Sequence, residues 1–446
     1  MTETAMNMNM FEQAMLDEMI SLRKEVRDEP APVRDIRLRA GKDFSTAGLP
    51  RRNMEGWRWT DLSALPQIFA KGEKSPSARP GALAGAFRAV DAWRLVFENG
   101  VLAPSLSDRD RLPEGVYAGS LRAELRERPE LGRHLSAPDD APFFSLNTAL
   151  LRDGAFIGTG ENAQLDRPLH LIFLNNRNSN VRNLFVLGPN SRAVILETHY
   201  GASGEAGDGE YFVNHAADIV LDRGAQLAHY RDQDESPAAA HFCFQAGVLR
   251  EASSYQGFTL TRGARVSRNE SRMHIEGAGA ECRLNGVNIL SGSQIADTSV
   301  VMDHLTPEGK SRQHFRSALN GRSRGIFQGL IRVRKEAQRT DARQEIKAIL
   351  LSQQAVQNAK PELEILADDV QCAHGATIGQ IDEAALFYLR SRGIGEDQGR
   401  ALLTGAFLEE ALAGMQDQAG DGPVTEALLS TIADCLLQQM ETRHDG

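Results

Sequence analysis

The stretch AADIVLDRGAQLAHY, residues 216–230, carries the pattern that decides the fold. Small and apolar residues recur at every second position on both sides of a glycine: Ala217, Ile219 and Leu221 before Gly224, then Ala225 and Leu227 after it. Side chains of an extended strand alternate between its two faces, so this period of two places these residues on one face. The pattern predicts two short strands joined at a tight turn.

The same phase recurs between about residues 153 and 378, for example in ECRLNGV (281–287) and GIFQGLIRV (325–333). Strands this short are not stable alone, but stacked rungs would bury their inward faces against one another. No strict hexapeptide or nonapeptide period is visible. We therefore predict a mainly β protein with a parallel β-helix over residues 153–378, and a β-sandwich with many insertions is the alternative.

Helical patterns flank this core on both sides. Residues 1–152 are expected to be mainly helical, with an amphipathic opening helix and a β-hairpin that turns at Asn99-Gly100. Residues 379–446 are expected to form a C-terminal helical domain, whose first helix begins after Asp382 as N-cap. The sequence thus predicts three regions in the order helical, β-helical, helical.

Composition excludes several classes of protein. The 446 residues include 41% hydrophobic and 25% charged residues, as in ordinary globular proteins, and 40 glycines indicate many turns. A formal charge of -10 disfavours nucleic acid as a partner. Neither a signal peptide nor a membrane-spanning stretch is evident, so we expect a soluble, cytoplasmic protein. Four cysteines without CxxC spacing are expected to be reduced thiols.

Cys372 and His374 are the first candidates for metal binding. On a strand their side chains would project from the same side, about 6 to 7 Å apart. Thiolate and imidazole suit zinc or iron, but a tetrahedral centre needs four donors, so the others must come from elsewhere or from another chain. The alternative is a half-buried thiol beside a hydrogen-bonded histidine, without any metal.

The other candidates have simpler interpretations. His241 and Cys243 also share a strand face, for which an ordinary polar face is the alternative to metal binding. Cys282 and Cys435 are in phase with apolar neighbours and are expected to belong to the core. The basic run at residues 332–343 contains acidic residues and is expected to be a solvated face rather than an anion site.

Common enzyme motifs are absent from the sequence. It contains no P-loop, no HExxH, no GxSxG and no dinucleotide fingerprint in the required context, so we expect no nucleotide hydrolysis by this chain. A β-helical carbohydrate-active enzyme is the main alternative from another functional class. Such an enzyme needs paired carboxylates in a groove, and no such constellation is evident.

Several long segments resemble the SufB/SufD family of the SUF iron-sulfur cluster assembly system. The resemblance is carried by LADDVQCAHGATIGQIDEAALFYLRSRGI (366–394), GIFQGLIRV (325–333) and FFSLNTALLRDGAFI (143–157). The segment GLPRRNMEGWRWTDL (48–62) is similar to SufD-type members, and the cysteine-rich N-terminal motif of SufB-type members is not present.

The resemblance implies a right-handed parallel β-helix and a non-catalytic scaffold subunit that acts with SufB and the ABC-type ATPase SufC in cluster formation and iron acquisition. Cys372 and His374 would lie at the SufB interface, where iron or a nascent iron-sulfur cluster is held transiently and shared with SufB. The residues implied in SufC docking are Asp382, Phe387, Tyr388, Leu389 and Arg390. A purely structural subunit is the alternative, self-association in isolation is possible, and flavin binding, iron donor and stoichiometry are left open.

Overall fold

Helices lie towards both ends of the chain and strands between them. The computed structural model describes residues 3–72, 85–108, 112–136, 138, 140–201, 209–415 and 422–441. The helices are α1 (Glu3–Glu25), α2 (Ala31–Ala47), α3 (Leu65–Gly72), α4 (Leu121–Glu127), α5 (Pro142–Ala149), α6 (Glu383–Ser391), α7 (Glu396–Glu409) and α8 (Gly422–Glu441). None of the helices in the described residues is both long and apolar enough to cross a membrane.

The strands form two long sheets. They are β1 (Trp93–Glu98), β2 (Val101–Leu102), β3 (Val116–Ser120), β4 (Ala155–Thr159), β5 (Leu169–Asn175), β6 (Ser179–Leu187), β7 (Arg192–Gly201), β8 (Phe212–Leu221), β9 (Gln226–Asp234), β10 (Ala240–Leu249), β11 (Ser254–Thr261), β12 (Val266–Ile275), β13 (Glu281–Leu290), β14 (Ile295–His304), β15 (Lys310–Leu319), β16 (Arg324–Val333), β17 (Asp341–Leu350), β18 (Val356–Ile365) and β19 (Gln371–Gly379). From β4 onward, successive strands alternate between the two sheets, and neighbours within each sheet are parallel. The prediction of a parallel β-helix is confirmed.

Each turn of the β-helix contains one strand from each sheet, and the length of a turn varies. Ala240 pairs with Val266, an offset of 26 residues, whereas Arg324 pairs with Val356, an offset of 32. A flattened helix with such uneven turns has no short sequence repeat. This explains why neither a hexapeptide nor a nonapeptide period is visible in the sequence.

The interior between the two sheets is the main apolar core. The alternating residues of the stretch 216–230 all belong to it: Ala217, Ile219, Leu221, Ala225 and Leu227. The hairpin predicted at Asn99-Gly100 is confirmed and joins β1 to β2. Sequence alternation therefore identified the inward face of these strands correctly.

The terminal helices cover the outer faces of the two sheets. Phe11 of α1 packs on the sheet of even-numbered strands, with its ring 6.1 Å from that of Phe212. Leu428 of α8 packs in a cluster with Tyr230 and Phe258 on the other sheet. Since both faces of the central strands are covered, all ten residues of β8 are buried.

Close stacking of the turns requires glycine at defined positions. A Cβ atom added to Gly277, which follows β12, would lie 1.8 Å from the backbone nitrogen of Glu251 in the preceding turn. Backbone atoms of a stacked turn cannot move aside without breaking ladder hydrogen bonds. Part of the high glycine content thus reflects contact between turns.

We expect Gly277→Ala to lower the free energy of unfolding by about 3 kcal/mol or more, because the added methyl group overlaps the neighbouring backbone. Urea denaturation followed by circular dichroism measures the change. Gly56→Ala is the matched control, since a Cβ there meets nothing within 4 Å. Equal stability of the two variants would contradict the close packing of the turns.

Candidate functional site

Cys372 and His374 lie on β19, the last strand of its sheet. Cys372 pairs with Ala342 and His374 with Gln344 on β17, and both of these partners are buried. The inward face of β17 therefore continues onto β19 through the two candidate side chains. Cys372 is half-buried and packs against the core, whereas His374 is exposed.

The β-helix is open at this end. Among the described residues β18 and β19 each pair with a neighbouring strand on one side only. Large apolar side chains are exposed here: Val356, Ile365, Leu366 and Ile378, at 39–52%. Free strand edges beside exposed apolar surface are typical of a surface that pairs with another chain.

Burial raises the pKa of the Cys372 thiol. A hydrogen bond with the backbone of Ala342 acts in the opposite direction, and the carboxylate of Asp341 adds to the increase. At neutral pH the side chain is therefore a thiol rather than a thiolate. A metal ion that binds here must displace this proton, because only the thiolate is a good ligand.

This chain supplies an incomplete set of metal ligands at the open end. Neither Cys372 nor His374 belongs to any group of three or more close donors in the described part of the chain. Two donors leave at least two positions of a tetrahedral centre to be filled.

The residues expected to contact a partner through the C-terminal helices have different structural roles. Asp382 caps α6, because its carboxylate accepts hydrogen bonds from the backbone of Ala384 and Ala385. Phe387 and Tyr388 are exposed by 72% and 57%. The two remaining candidates, Leu389 and Arg390, are half-buried and exposed respectively, and the guanidinium of Arg390 lies 3.3 Å from the carboxylate of Glu396.

The other cysteines differ in their surroundings. Cys282 is buried in the interior, as predicted. Cys435 is only half-buried, and its sulfur lies 3.8 Å from Nη1 of Arg262. Cys243 is buried, and its Sγ lies 3.8 Å from Nδ1 of His215.

A second group of metal-capable side chains lies inside the β-helix. His241 and Cys243 share one face of β10, and both are buried between the sheets. His241 belongs to a cluster whose other members sequence reasoning missed: Glu197, His199, His215 and Glu235. The signal for Glu197 and His199 is their phase with the inward residue Ile195 on the same strand.

The carboxylate of Glu235 controls the charge of His241. Burial by itself lowers the pKa of this histidine, but the carboxylate of Glu235, together with the side chain of Cys243, outweighs burial and raises it to about 9. Oε2 of Glu235 lies 2.8 Å from Nδ1 of His241. The two groups thus form a buried ion pair at neutral pH.

Comparison with known proteins assigns the family. Residues 172–407 match the profile of the SUF system FeS cluster assembly, SufBD core domain, and residues 12–171 match the SufBD protein N-terminal region. The chain belongs to the SufBD family. It is 33% identical to an iron-sulfur cluster assembly SufBD family protein of Synechocystis, over 82% of this chain and 83% of the relative. It is 28% identical to the iron-sulfur cluster assembly protein SufD of Escherichia coli, over 83% and 86% respectively.

A third relative of the SufBD family chain is Protein ABCI7, chloroplastic, of Arabidopsis thaliana. It is 26% identical over 85% of this chain and 82% of the relative. Family membership identifies the chain as an iron-sulfur cluster assembly protein.

An unstructured cysteine has a pKa of about 8.5, and burial raises the pKa of Cys372 above its usual value. We therefore expect the rate at which Cys372 of the folded chain reacts with iodoacetamide to keep increasing as the pH is raised beyond about 8.5, because only the thiolate reacts. Peptide mass spectrometry after timed alkylation between pH 7 and 10 measures the rate. Cys282 is the internal control and should be labelled only after unfolding. An inflection below pH 8 would contradict the effect of burial.

Proposed function

We propose that this chain is a SufD-type scaffold subunit that acts with SufB and the SufC ATPase in cluster formation and iron acquisition. The observation that carries the proposal is the position of Cys372 and His374, two metal donors side by side on the open rung of the β-helix. Iron and sulfide are the cargo of this site, and the chain itself has no catalytic turnover.

The open end supports pairing with SufB. Unpaired N–H and C=O groups along β18 and β19 can continue their ladders with strands of a second subunit. The exposed apolar residues beside them would become buried in the same contact, which adds a favourable hydrophobic contribution. SufB would thus extend both sheets at the end where Cys372 and His374 lie.

A shared ligand set follows from this arrangement. Cys372 and His374 supply two donors, and SufB supplies those that complete the coordination of the iron. When the second subunit moves away, the remaining pair cannot hold a four-coordinate centre. A small relative movement of the two subunits would therefore release the cargo.

The C-terminal helices support docking of SufC. The exposed rings of Phe387 and Tyr388 provide an apolar surface on α6, whose N-terminus is fixed by Asp382. Residues that follow α7 contact the β-helix directly: Glu410 pairs with Arg316 on β15, and the backbone of Ala411 accepts a hydrogen bond from Asn285. A force applied by the ATPase on these helices can thus be transmitted to the sheet that ends in β19.

A purely structural subunit is the alternative. It would hold SufB and SufC together without contributing ligands. The two possibilities differ in whether loss of the Cys372 and His374 side chains changes the cluster content of an intact complex.

We expect Cys372→Ala and His374→Ala each to lower the cluster content of the co-purified SufB–SufC complex at least fivefold, because each removes one of few ligands. Absorbance and iron analysis after purification under argon measure the content, and size-exclusion chromatography checks assembly. Thr377→Ala is the matched control, since it lies on the opposite face of β19. Unchanged cluster content in both variants would favour the purely structural subunit.

We expect the double change Phe387→Ala and Tyr388→Ala to weaken SufC binding at least tenfold, because it removes two large exposed rings from the proposed interface. Isothermal titration calorimetry of the purified chain with SufC measures the affinity. Val101→Ala, an exposed apolar change on the distant hairpin, is the control. If the double variant and the Val101→Ala control both bound SufC as tightly as the unmodified chain, docking would have to involve another surface.

A further inference from the structure

The buried cluster inside the β-helix consists of two overlapping sets of two histidines and one carboxylate. One set is Glu197, His199 and His215, and the other is His199, Glu235 and His241. Within each set the potential ligand atoms lie within 4.8 Å of one another, and all five residues are buried. Two histidines with one carboxylate are a ligand set that iron(II) and similar ions prefer.

Two donors of the first set, Glu197 and His215, already have partners. Glu197 accepts hydrogen bonds from Nε of Arg231 at 3.1 Å and from Nδ2 of Asn183 at 2.9 Å. The same amide of Asn183 lies 2.9 Å from Nε2 of His215, whose Nδ1 faces the sulfur of Cys243. The guanidinium of Arg231 also places a positive charge next to Glu197, which repels a cation.

The second set has donors without partners. Nδ1 of His199 makes no hydrogen bond to any described residue, and Nδ1 of His241 lies 2.8 Å from Oε2 of Glu235 without hydrogen-bond geometry, although both rings are fully buried. A buried polar atom without a partner costs about 1–3 kcal/mol, so such atoms are uncommon in native proteins. Two such nitrogen atoms, in histidine rings next to the carboxylate of Glu235, indicate that a bound ligand supplies the missing partner.

We propose that His199, Glu235 and His241 form a buried binding site for one divalent first-row transition metal ion of the iron(II) class. The 2.8 Å between Nδ1 of His241 and Oε2 of Glu235 is close to the separation of about 3 Å between neighbouring ligands of one ion. Ligands at about 2.1 Å from an ion lie at most about 4.2 Å apart, so atoms near the 4.8 Å limit of the set would have to move together by about 0.6 Å or more when an ion binds.

Surrounding groups hold the ligands in place. Nε2 of His199 lies 3.4 Å from Oε2 of Glu197. The carboxylate of Glu197 thus contacts one ring nitrogen of His199, while the other, Nδ1, remains available to a metal ion. Glu235 accepts a hydrogen bond from Nδ2 of Asn175 at 3.0 Å. Partners of this kind fix the orientation of metal ligands.

This interior site is separate from the open end and does not depend on the proposed function. Glu235 directly follows β9, and five ladder steps separate β9 from β19, which corresponds to about 24 Å. The competing explanation is a metal-free ion pair of His241 and Glu235 within a hydrogen-bonded polar core.

Cobalt(II) is the probe, because it accepts the same ligands as iron(II) and absorbs visible light. The chain carrying Cys372→Ala and His374→Ala, which lacks the donors of the open end, is produced in minimal medium with cobalt and purified under argon. Elemental analysis after desalting should give about one cobalt ion per chain, with d–d absorption but without a thiolate charge-transfer band. Less than about a tenth of an ion per chain would overturn the proposal.

Substitutions in the same background assign the ligands. His241→Gln should lower cobalt content at least tenfold, and His199→Gln is the second variant if the first does not fold, as judged by circular dichroism. His304→Gln, a change of a buried histidine elsewhere in the β-helix, should retain the ion, as should His215→Gln. The assignment would be overturned if a folded His241→Gln variant retained the cobalt ion, or if His215→Gln lost the ion while His241→Gln kept it.

Discussion

In-register stacking of parallel strands is the constraint on which the rest of this structure depends. Each inward position continues from rung to rung, as in the column Tyr255, Cys282, Ser311, Ala342 and Cys372. The first four members are buried because another rung lies above them, whereas Cys372 belongs to the last rung. Cys282 and Cys372 occupy equivalent positions in this column. Cys282 is a buried, inert thiol because further rungs cover it, whereas Cys372 is accessible because no rung of the described chain lies above it.

The open rung also determines how the site can be completed. Burial raises the pKa of both Cys282 and Cys372, so neither is a thiolate at neutral pH without a cation nearby. At Cys372 a second subunit can bring further ligands and exclude water in one step. The free edges of β18 and β19 and the side chains of Cys372 and His374 therefore belong to the same surface, and strand pairing and the proposed metal coordination would reinforce each other.

Sequence alternation predicted the β-helix and the inward phase of residues such as Ile219 and Leu227, because a period of two depends only on local geometry. The spacing of Cys372 and His374 likewise predicted a shared strand face. The interior cluster could not be predicted, because turns of 26 to 34 residues conceal which strands become neighbours. Glu197 and His241 lie 44 residues apart in sequence, and only the register of the sheets brings their surroundings together.

Buried charges such as Glu197, Arg231 and Glu235 are costly, since apolar residues of similar volume often give equal or greater stability. Phe173 packs against two members of this cluster: it stacks on His199 with centroids 4.8 Å apart, and its centroid lies 5.2 Å from that of His215. Exclusion of water strengthens every electrostatic interaction inside, so an ion held there would exchange slowly. Donors at the open rung have the opposite property, because a departing subunit exposes them. If both proposals hold, one fold provides a closed set of ligands that suits a resident ion and an open set that suits transient cargo.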